Sequence, residues 1–377
     1  MNILFTVSYY KPYISGITVY AQRLAASLSK RGYNVTIVTT QLDKNLSKKE
    51  IEKGVRVIRV PIALKLYKGF IMPSYIFKIW QQVSKSEAVV SHLPQFESLF
   101  VAFIAKILRK KYYVIYHCEV KLPSSIFGRI IELLLYHFHF ITLVLADKII
   151  TTTKDYAINS SLLPKFLAKT FYIYPPIPHL PLNDISVSDN LMKQKIYAIG
   201  VVARLSTEKG FEYLFSAIPF IKKSLGENFE IHIVGPMYPM GESAYMKKLS
   251  SLLEKFKNYI HFTDTIKDNE MVKFYKSLDV LVLPSINKTE AFGMVQVEAM
   301  LCGVPVVASN LPGVRVPIRV TGMGEIAVPA DSESLAQKIV KVLHNKEKYC
   351  KNTSRVKKIF SYEKTIQQYE KILNSVS

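Results

Sequence analysis

Residues 282–309 read Val282-Leu-Pro-Ser-Ile-Asn-Lys-Thr-Glu-Ala-Phe-Gly-Met-Val-Gln-Val-Glu-Ala-Met-Leu-Cys-Gly-Val-Pro-Val-Val-Ala-Ser309. An apolar, strand-like run ends at Pro284, a polar loop leads to Gly293, a helical stretch follows, and residues 304–308 are strand-like again. This is the repeating unit of a parallel α/β sheet, in which ligands bind beyond the carboxyl ends of the strands. The loop from 284 to 293 is therefore the expected ligand site. The backbone N–H groups of a helix start at Gly293, Met294 and Val295 lack intrahelical acceptors and carry the positive end of the helix dipole, which suits a phosphate. Glycine at 293 permits close backbone approach.

Two carboxylates flank that helix start, Glu290 in the loop and Glu298 in the helix. Were all the intervening steps helical, they would stand roughly 12 Å apart. That is too far for an acid/base pair on one bond but suits the two ends of one extended ligand. A carboxylate accepts from vicinal hydroxyls in bidentate fashion, so a sugar nucleotide fits, with Glu298 on ribose and Glu290 on the second sugar. Read alone, the pair is more readily explained as two solvent-facing helix charges. Upstream, Ile199-Gly-Val-Val-Ala-Arg-Leu-Ser-Thr-Glu-Lys-Gly210 places Arg204 and Lys209 in the loop after another strand. Two cations there can clamp a diphosphate, the arginine as a fork and the lysine as a point charge.

Outward from this centre the α/β pattern continues. Residues 196–202, 229–234, 260–263, 280–283 and 304–308 read as strands of one domain, and 2–8, 35–40, 55–60, 88–91, 112–117 and 148–152 as strands of another, with a helix over 19–30. A chain of 377 residues exceeds one ordinary core. Pro175, Pro176, Pro178, Pro181 and the polar residues 183–190 look like a linker. The expected domains are 1–182 and 183–358, each Rossmann-like, and a C-terminal helical segment, 359–377, able to pack back on the N-terminal domain.

The chain carries 50 Lys and Arg against 29 Asp and Glu, a formal charge of +21. Residues 1–180 hold 24 against 9, and the remainder 26 against 20. Such asymmetry admits an anionic membrane surface, nucleic acid or plain solvated surface. No nucleic-acid-binding motif is visible, and the basic excess adjoins apolar stretches, so the membrane is favoured and nucleic acid is not expected. One such stretch, 126–146, is nearly long enough to span a bilayer but is interrupted by Glu132, His137 and His139. It reads either as a helix lying partly in core and partly against a membrane or as a buried core helix. A second, 73–84, combines Tyr75, Phe77 and Trp80 with Lys78. Cys118, Cys302 and Cys350 are widely spaced, and the N-terminus runs directly into a strand pattern, so a cytoplasmic location is expected, peripheral to the inner face of the cell membrane.

Taken together, Arg204-Leu, Glu208-Lys-Gly210, Val234-Gly235, Glu290-x7-Glu298, Ala299-Met-x-Cys-Gly-x-Pro-Val-Val-Ala-Ser309 and Leu311-Pro-Gly-Val-Arg315 resemble the retaining GT-B glycosyltransferases of family 4, also called group 1. The resemblance implies two Rossmann-like domains with parallel sheets facing each other across a cleft. It implies that Arg204 and Lys209 hold the donor diphosphate, Glu298 the ribose, and Glu290, with Ala291, Phe292 and Gly293, the donor sugar. Gly16, in Ile14-Ser-Gly-Ile-Thr-Val-Tyr20, matches the family's glycine near the donor phosphate, with Ser15 where a second glycine is usual. His117 falls where the family carries a histidine at the donor sugar, so Glu290 and His117 are the expected catalytic pair. His92 is a weaker candidate on the acceptor side, while His137 and His139 read as structural. Ala203 stands where the family often has a glycine, which changes little because the contact is the Arg204 side chain, whereas Phe262-Thr-Asp-Thr265 lacks the glycine usual where the base docks, which leaves the nucleotide base of a donor such as a UDP- or GDP-sugar open. No Asp-x-Asp motif occurs, and neither a metal nor another cofactor is expected. The expected function is hexose transfer from a nucleotide-diphosphate sugar to a saccharide or lipid-linked saccharide. The rivals are a sugar-nucleotide hydrolase or epimerase and a basic nucleic-acid-binding protein.

Overall fold

The computed structural model describes residues 1–66, 69–122, 125–178, 196–239, 241–350 and 353–375. The chain divides into two units, Met1–Pro176 with Tyr362–Ser377, and Ile177–Ser361. Pro181 and residues 183–190, expected as a linker, lie outside the described residues.

The first unit contains β1 (Asn2–Thr6), β2 (Asn34–Gln41), β3 (Lys49–Glu52), β4 (Val55–Pro61), β5 (Leu64–Leu66), β6 (Gly69–Ile71), β7 (Ala88–Leu93), β8 (Lys111–Tyr116), β9 (Lys148–Thr151) and β10 (Thr170–Tyr172). Eight of them form one sheet in the order β10-β9-β8-β7-β1-β2-β4-β3, while β5 and β6 pair as a separate hairpin. Every neighbour in the large sheet is parallel except β3 with β4. β1 is central, with Phe5 in register with Ile37 and Val90, and its residues Ile3 to Thr6 are buried. Near-continuous apolar runs such as Tyr112 to Tyr116 follow from burial on both faces.

The helix Tyr362–Asn374 belongs to this unit. Its Tyr369, Ile372 and Leu373 line one small apolar cavity together with Phe5, Leu24 and Leu28, and Arg31 holds both Glu363 and Glu370. Three further helices leave an apolar surface. Ser98–Ile107 packs against both Tyr75–Ser84 and Ile126–Leu145. Ile126–Leu145 is long and apolar enough to cross a membrane, yet only 22 % of its apolar window is buried, so a buried core helix is not what the chain forms. Ile126, Ile130, Leu133, Ile141 and Val144 lie exposed along one stripe, joined by Phe77, Trp80, Phe103 and Ile107 of the neighbouring helices.

The second unit holds β11 (Tyr197–Val202), β12 (Phe229–Val234), β13 (Ile260–Thr263), β14 (Val280–Leu283), β15 (Val306–Ser309) and β16 (Gly324–Ala327). They form an all-parallel sheet in the order β13-β12-β11-β14-β15-β16. Ile199, Val201, Ile231, Ile233, Val280 and Val282 pack beneath the helices Phe211–Leu225 and Ser332–His344. The strand order reverses between β11 and β14. In a doubly wound sheet, the carboxyl ends of the two strands at this reversal diverge and open the ligand crevice.

Candidate functional site

The loops that follow β11 and β14 carry the candidate residues, and they are held together by a missing side chain. Gly210 has φ +67°. A Cβ there would lie 2.4 Å from the Pro284 carbonyl oxygen and 2.7 Å from Cγ2 of Ile286. The Glu208 carbonyl accepts the Ile286 N–H at 3.1 Å, clipping one loop to the other. This contact brings Lys209 Nζ within 2.5 Å of Glu290 Oε2, with both side chains largely buried.

Arg204 sits on the same loop, its Nη2 3.3 Å from Glu208 Oε1, which also accepts from the Ser206 hydroxyl at 2.8 Å. The turn Thr207–Lys209 is anchored by the buried Glu242, whose Oε2 accepts the Thr207 N–H at 3.1 Å and its hydroxyl at 2.7 Å. Both cations thus project from a braced loop beyond β11.

Across from them, the helix Met294–Leu301 starts at Gly293, at φ +74° and ψ 74°. A Cβ on Gly293 would meet Cδ2 of Leu283 at 2.4 Å and Nε2 of Gln296 at 2.9 Å, so glycine is required both for its backbone angle and for space. Gln296 is fully buried and donates to the carbonyls of Phe292 at 2.7 Å and Val314 at 3.0 Å. It ties the helix start to the Leu311–Arg315 loop. Sequence reasoning missed this residue. The available signal was an amide within the otherwise apolar helix face around Val295 and Val297.

Ala291 and Phe292 are buried at 6 % and 3 % exposure, leaving backbone rather than side chain to line the loop. Glu298, at 9 % exposure, accepts the Tyr275 hydroxyl at 2.8 Å, a second residue the sequence did not flag. The helical spacing assumed for Glu290 and Glu298 does not hold. Residues 287–293 are irregular, the Glu290 N–H returns to the Asn287 carbonyl at 3.2 Å, and only the steps from Met294 onward are helical. The asparagine causes this, because its Oδ1 accepts the Thr289 N–H at 3.0 Å in a local turn that competes with helix.

In the first unit the strand order reverses between β1 and β7, and the expected residues lie near their carboxyl ends. Gly16 is the first residue of the helix Gly16–Lys30, and Ser15, in place of a glycine, caps it by accepting the Thr18 N–H at 3.2 Å. The serine therefore has a structural task of its own. His117 directly follows β8 and is 7 % exposed. His92, within β7, is 0 % exposed. It lies below the surface and touches His117, rather than facing an acceptor. Glu97 is also buried near the β1–β7 reversal, within 3.5 Å of the Ser8 hydroxyl, and burial raises its carboxyl to about 7.

His139 accepts the Gln95 N–H at 3.3 Å in the core, and burial lowers it to about 4. His137 is exposed and bonds the Leu133 carbonyl. Glu132 accepts the Leu122 N–H, which explains a carboxylate within an apolar helix. Among the described residues no three His, Cys, Asp or Glu side chains gather as metal ligands.

Comparison with known proteins follows the same division of the chain. A model described as glycosyltransferase family 4 matches residues 14–159, and one described as glycosyl transferases group 1 matches residues 185–358. An uncharacterised glycosyltransferase of Methanocaldococcus jannaschii is 25 % identical over 387 residues, covering 100 % of this chain and 99 % of the relative. The lipopolysaccharide 1,2-N-acetylglucosaminetransferase of Salmonella typhimurium is 31 % identical over 175 residues, 44 % of this chain and 45 % of the relative. Among solved structures, Anabaena HepE in complex with UDP aligns with a TM-score of 0.77 at 20 % identity, covering 100 % of both chains. At that identity the likeness shows the fold, which in this chain consists of two Rossmann-like units.

The buried imidazoles set a pH dependence. Burial lowers His117 from 6.5 to about 3, His139 to about 4, and His92 well below its ordinary value. Below the unfolded value of 6.5 the unfolded chain therefore binds more protons, and stability falls with pH. Glu97, raised from 4.5 to about 7, acts in the opposite sense over the same range and offsets one of the three. The thermal midpoint of the full chain is expected to fall between pH 6.5 and pH 5, measured by circular dichroism. A midpoint that stays level or rises would contradict the burial of three neutral histidines.

Proposed function

As this chain is a GT-B glycosyltransferase of family 4, group 1, we propose that it moves a hexose from a nucleotide-diphosphate sugar to a saccharide or lipid-linked saccharide, with retention of anomeric configuration. The observation that carries the proposal is the Lys209–Glu290 ion pair at the β11–β14 reversal, beside the helix start at Gly293. Anion-binding and hydroxyl-binding groups stand next to each other there, as a sugar diphosphate demands.

In this reading Arg204, Lys209 and the backbone N–H groups of Gly293, Met294 and Val295 stabilise the diphosphate as its charge grows on bond cleavage. Glu298, oriented by Tyr275, accepts from the ribose hydroxyls. Glu290, with the backbone of Ala291, Phe292 and Gly293, accepts from hydroxyls of the transferred sugar. Gly16 gives room for a phosphate at the first helix of the first unit, and His117 hydrogen-bonds a sugar hydroxyl. The leaving phosphate takes the proton of the incoming hydroxyl on the same face of the sugar. Fixed cations do the neutralising that a metal would otherwise do, so no metal is required. The donor is a UDP- or GDP-sugar.

The chain works in the cytoplasm against the inner face of the cell membrane, and nucleic acid is not a partner. Supporting this is the apolar face shared by three adjacent helices, rimmed by cations. Lys165 lies 5.2 Å from the Phe140 ring centroid, and Lys169 reaches the Val144 carbonyl at 2.8 Å, so both border the long helix. Apolar residues lying flat in the headgroup region with lysines beside them suit an anionic bilayer. The likeness to a lipopolysaccharide-modifying relative points the same way.

Glu290→Gln and Lys209→Ala are each expected to retain the fold and lower transfer by at least about 100-fold, while chelator leaves wild-type transfer intact. Near-normal turnover by either folded variant refutes the site, loss of activity in chelator refutes metal independence, and free sugar as the product identifies a hydrolase instead. In flotation with phosphatidylcholine vesicles, added phosphatidylserine is expected to recruit the full chain at low salt, and Trp80→Ser with Leu133→Ser to release it. Absence of flotation at low salt removes the membrane from the proposal.

A further inference from the structure

His92 and His117 form a buried pair in the first unit. His92 Nδ1 lies 2.9 Å from His117 Nε2. The ring centroids are 5.1 Å apart and the planes differ by 16°. With so short a nitrogen contact, this is two rings edge to edge in nearly one plane, not face to face, and the contact is a true in-plane hydrogen bond. Such a bond between neutral imidazoles holds one proton. Both rings are neutral because burial lowers both pKa values.

The proton has two places to sit, and they are not equivalent. His92 Nε2 is buried and has no hydrogen-bond partner. If His117 donated from Nε2, His92 would have to carry its proton on that Nε2, leaving a buried N–H with nothing to donate to. If His92 donates from Nδ1, its Nε2 is only a bare acceptor. Orphaned N–H groups are the rarer of the two in protein interiors. His92 is therefore the donor, and His117, accepting at Nε2, carries its own proton on Nδ1. His117 directly follows β8 and, at 7 % exposure, keeps a small part of its ring accessible beyond the carboxyl end of that strand.

We propose that His92 is a positioning residue that locks His117 in the Nδ1–H tautomer, so that His117 acts on its ligand as a hydrogen-bond donor and selects an oxygen that accepts, such as a sugar hydroxyl. The choice of a sugar oxygen rests on the function proposed above, whereas the tautomer does not. The neighbours of His117 support a fixed ring. Tyr20 meets it edge-on at 4.7 Å and 85°, and the Tyr20 hydroxyl is bonded to that of Tyr369 on the C-terminal helix. One tyrosine thereby links the closing helix of the unit to the orientation of His117. The hydrogen bond made by one ring nitrogen fixes the proton on the other.

The test is long-range proton–nitrogen correlation on the full chain labelled with 15N-histidine, with His117→Gln and His92→Phe used for assignment. The wild type is expected to show His117 with a protonated Nδ1 and a bare Nε2. In His92→Phe, which cannot donate, His117 is expected to shift to the Nε2–H form that free imidazole side chains prefer in water, with kcat/KM for transfer falling about 10-fold. His92→Gln, whose amide can donate, is expected to restore most of that loss and the Nδ1–H signature. A wild-type His117 protonated on Nε2 overturns the proposal, as does an Nδ1–H signal unchanged in a folded His92→Phe. Should His92→Phe fail to fold, the wild-type spectrum and His92→Gln still decide. If the spectra are as expected but no nucleotide sugar is turned over, the proposed function fails and the tautomer assignment stands.

Discussion

The Gly210–Pro284 contact is the constraint on which the site depends. Two strands that are neighbours in the sheet but 81 residues apart in sequence, as Lys209 and Glu290 are, end in loops that normally diverge. Here the loops converge because a residue without a Cβ lets the backbone at 210 approach the Pro284 carbonyl to a distance no side chain would tolerate. The Glu208–Ile286 backbone bond completes the junction. The cation and the carboxylate are then neighbours by construction, and their partial burial strengthens the interaction beyond what a surface pair supplies.

The first unit solves a related problem with aromatic and imidazole rings. Tyr20, Tyr369, His92 and His117 are all buried within or beside the sheet. Buried polar rings are costly unless they satisfy one another, and here the two hydroxyls bond to each other and one imidazole bonds the next. The C-terminal helix contributes one member, so the last residues of the chain take part in the local geometry of residues near its start. The apolar face on the three adjacent helices is the opposite case. Its residues gain nothing from the core, and a contiguous apolar surface of this kind is a sign of a binding face.

Much of the fold was legible because apolar β-branched runs recur between amphipathic stretches. The central strands β1, β2, β7, β8, β11, β12 and β14 all stand where that pattern put them. β3 was not legible, since Lys49-Glu-Ile-Glu52 alternates charge with one apolar residue on an antiparallel edge. β16 escaped as a four-residue strand beginning at a glycine. At the site, residue types and order gave Arg204, Lys209, Glu290 and Glu298, but not their arrangement. An asparagine turn replaced the assumed helix before Gly293, and the supports Gln296, Tyr275 and Glu242 come from burial and distant pairing that no local pattern encodes. His92 changed place for the same reason, because a strand residue one position from the surface end is indistinguishable in sequence from one at the end.

The central claim is that a nucleoside diphosphate binds at the β11–β14 reversal through cations held by these two loops. Isothermal titration of UDP and GDP into the full chain tests it most directly, with Arg204→Ala set against Arg129→Ala, an exposed arginine of the first unit. Saturable binding of one nucleotide, weakened at least about 10-fold by Arg204→Ala and unchanged by Arg129→Ala, is the predicted result. Binding of equal strength in the wild type and both variants would contradict it.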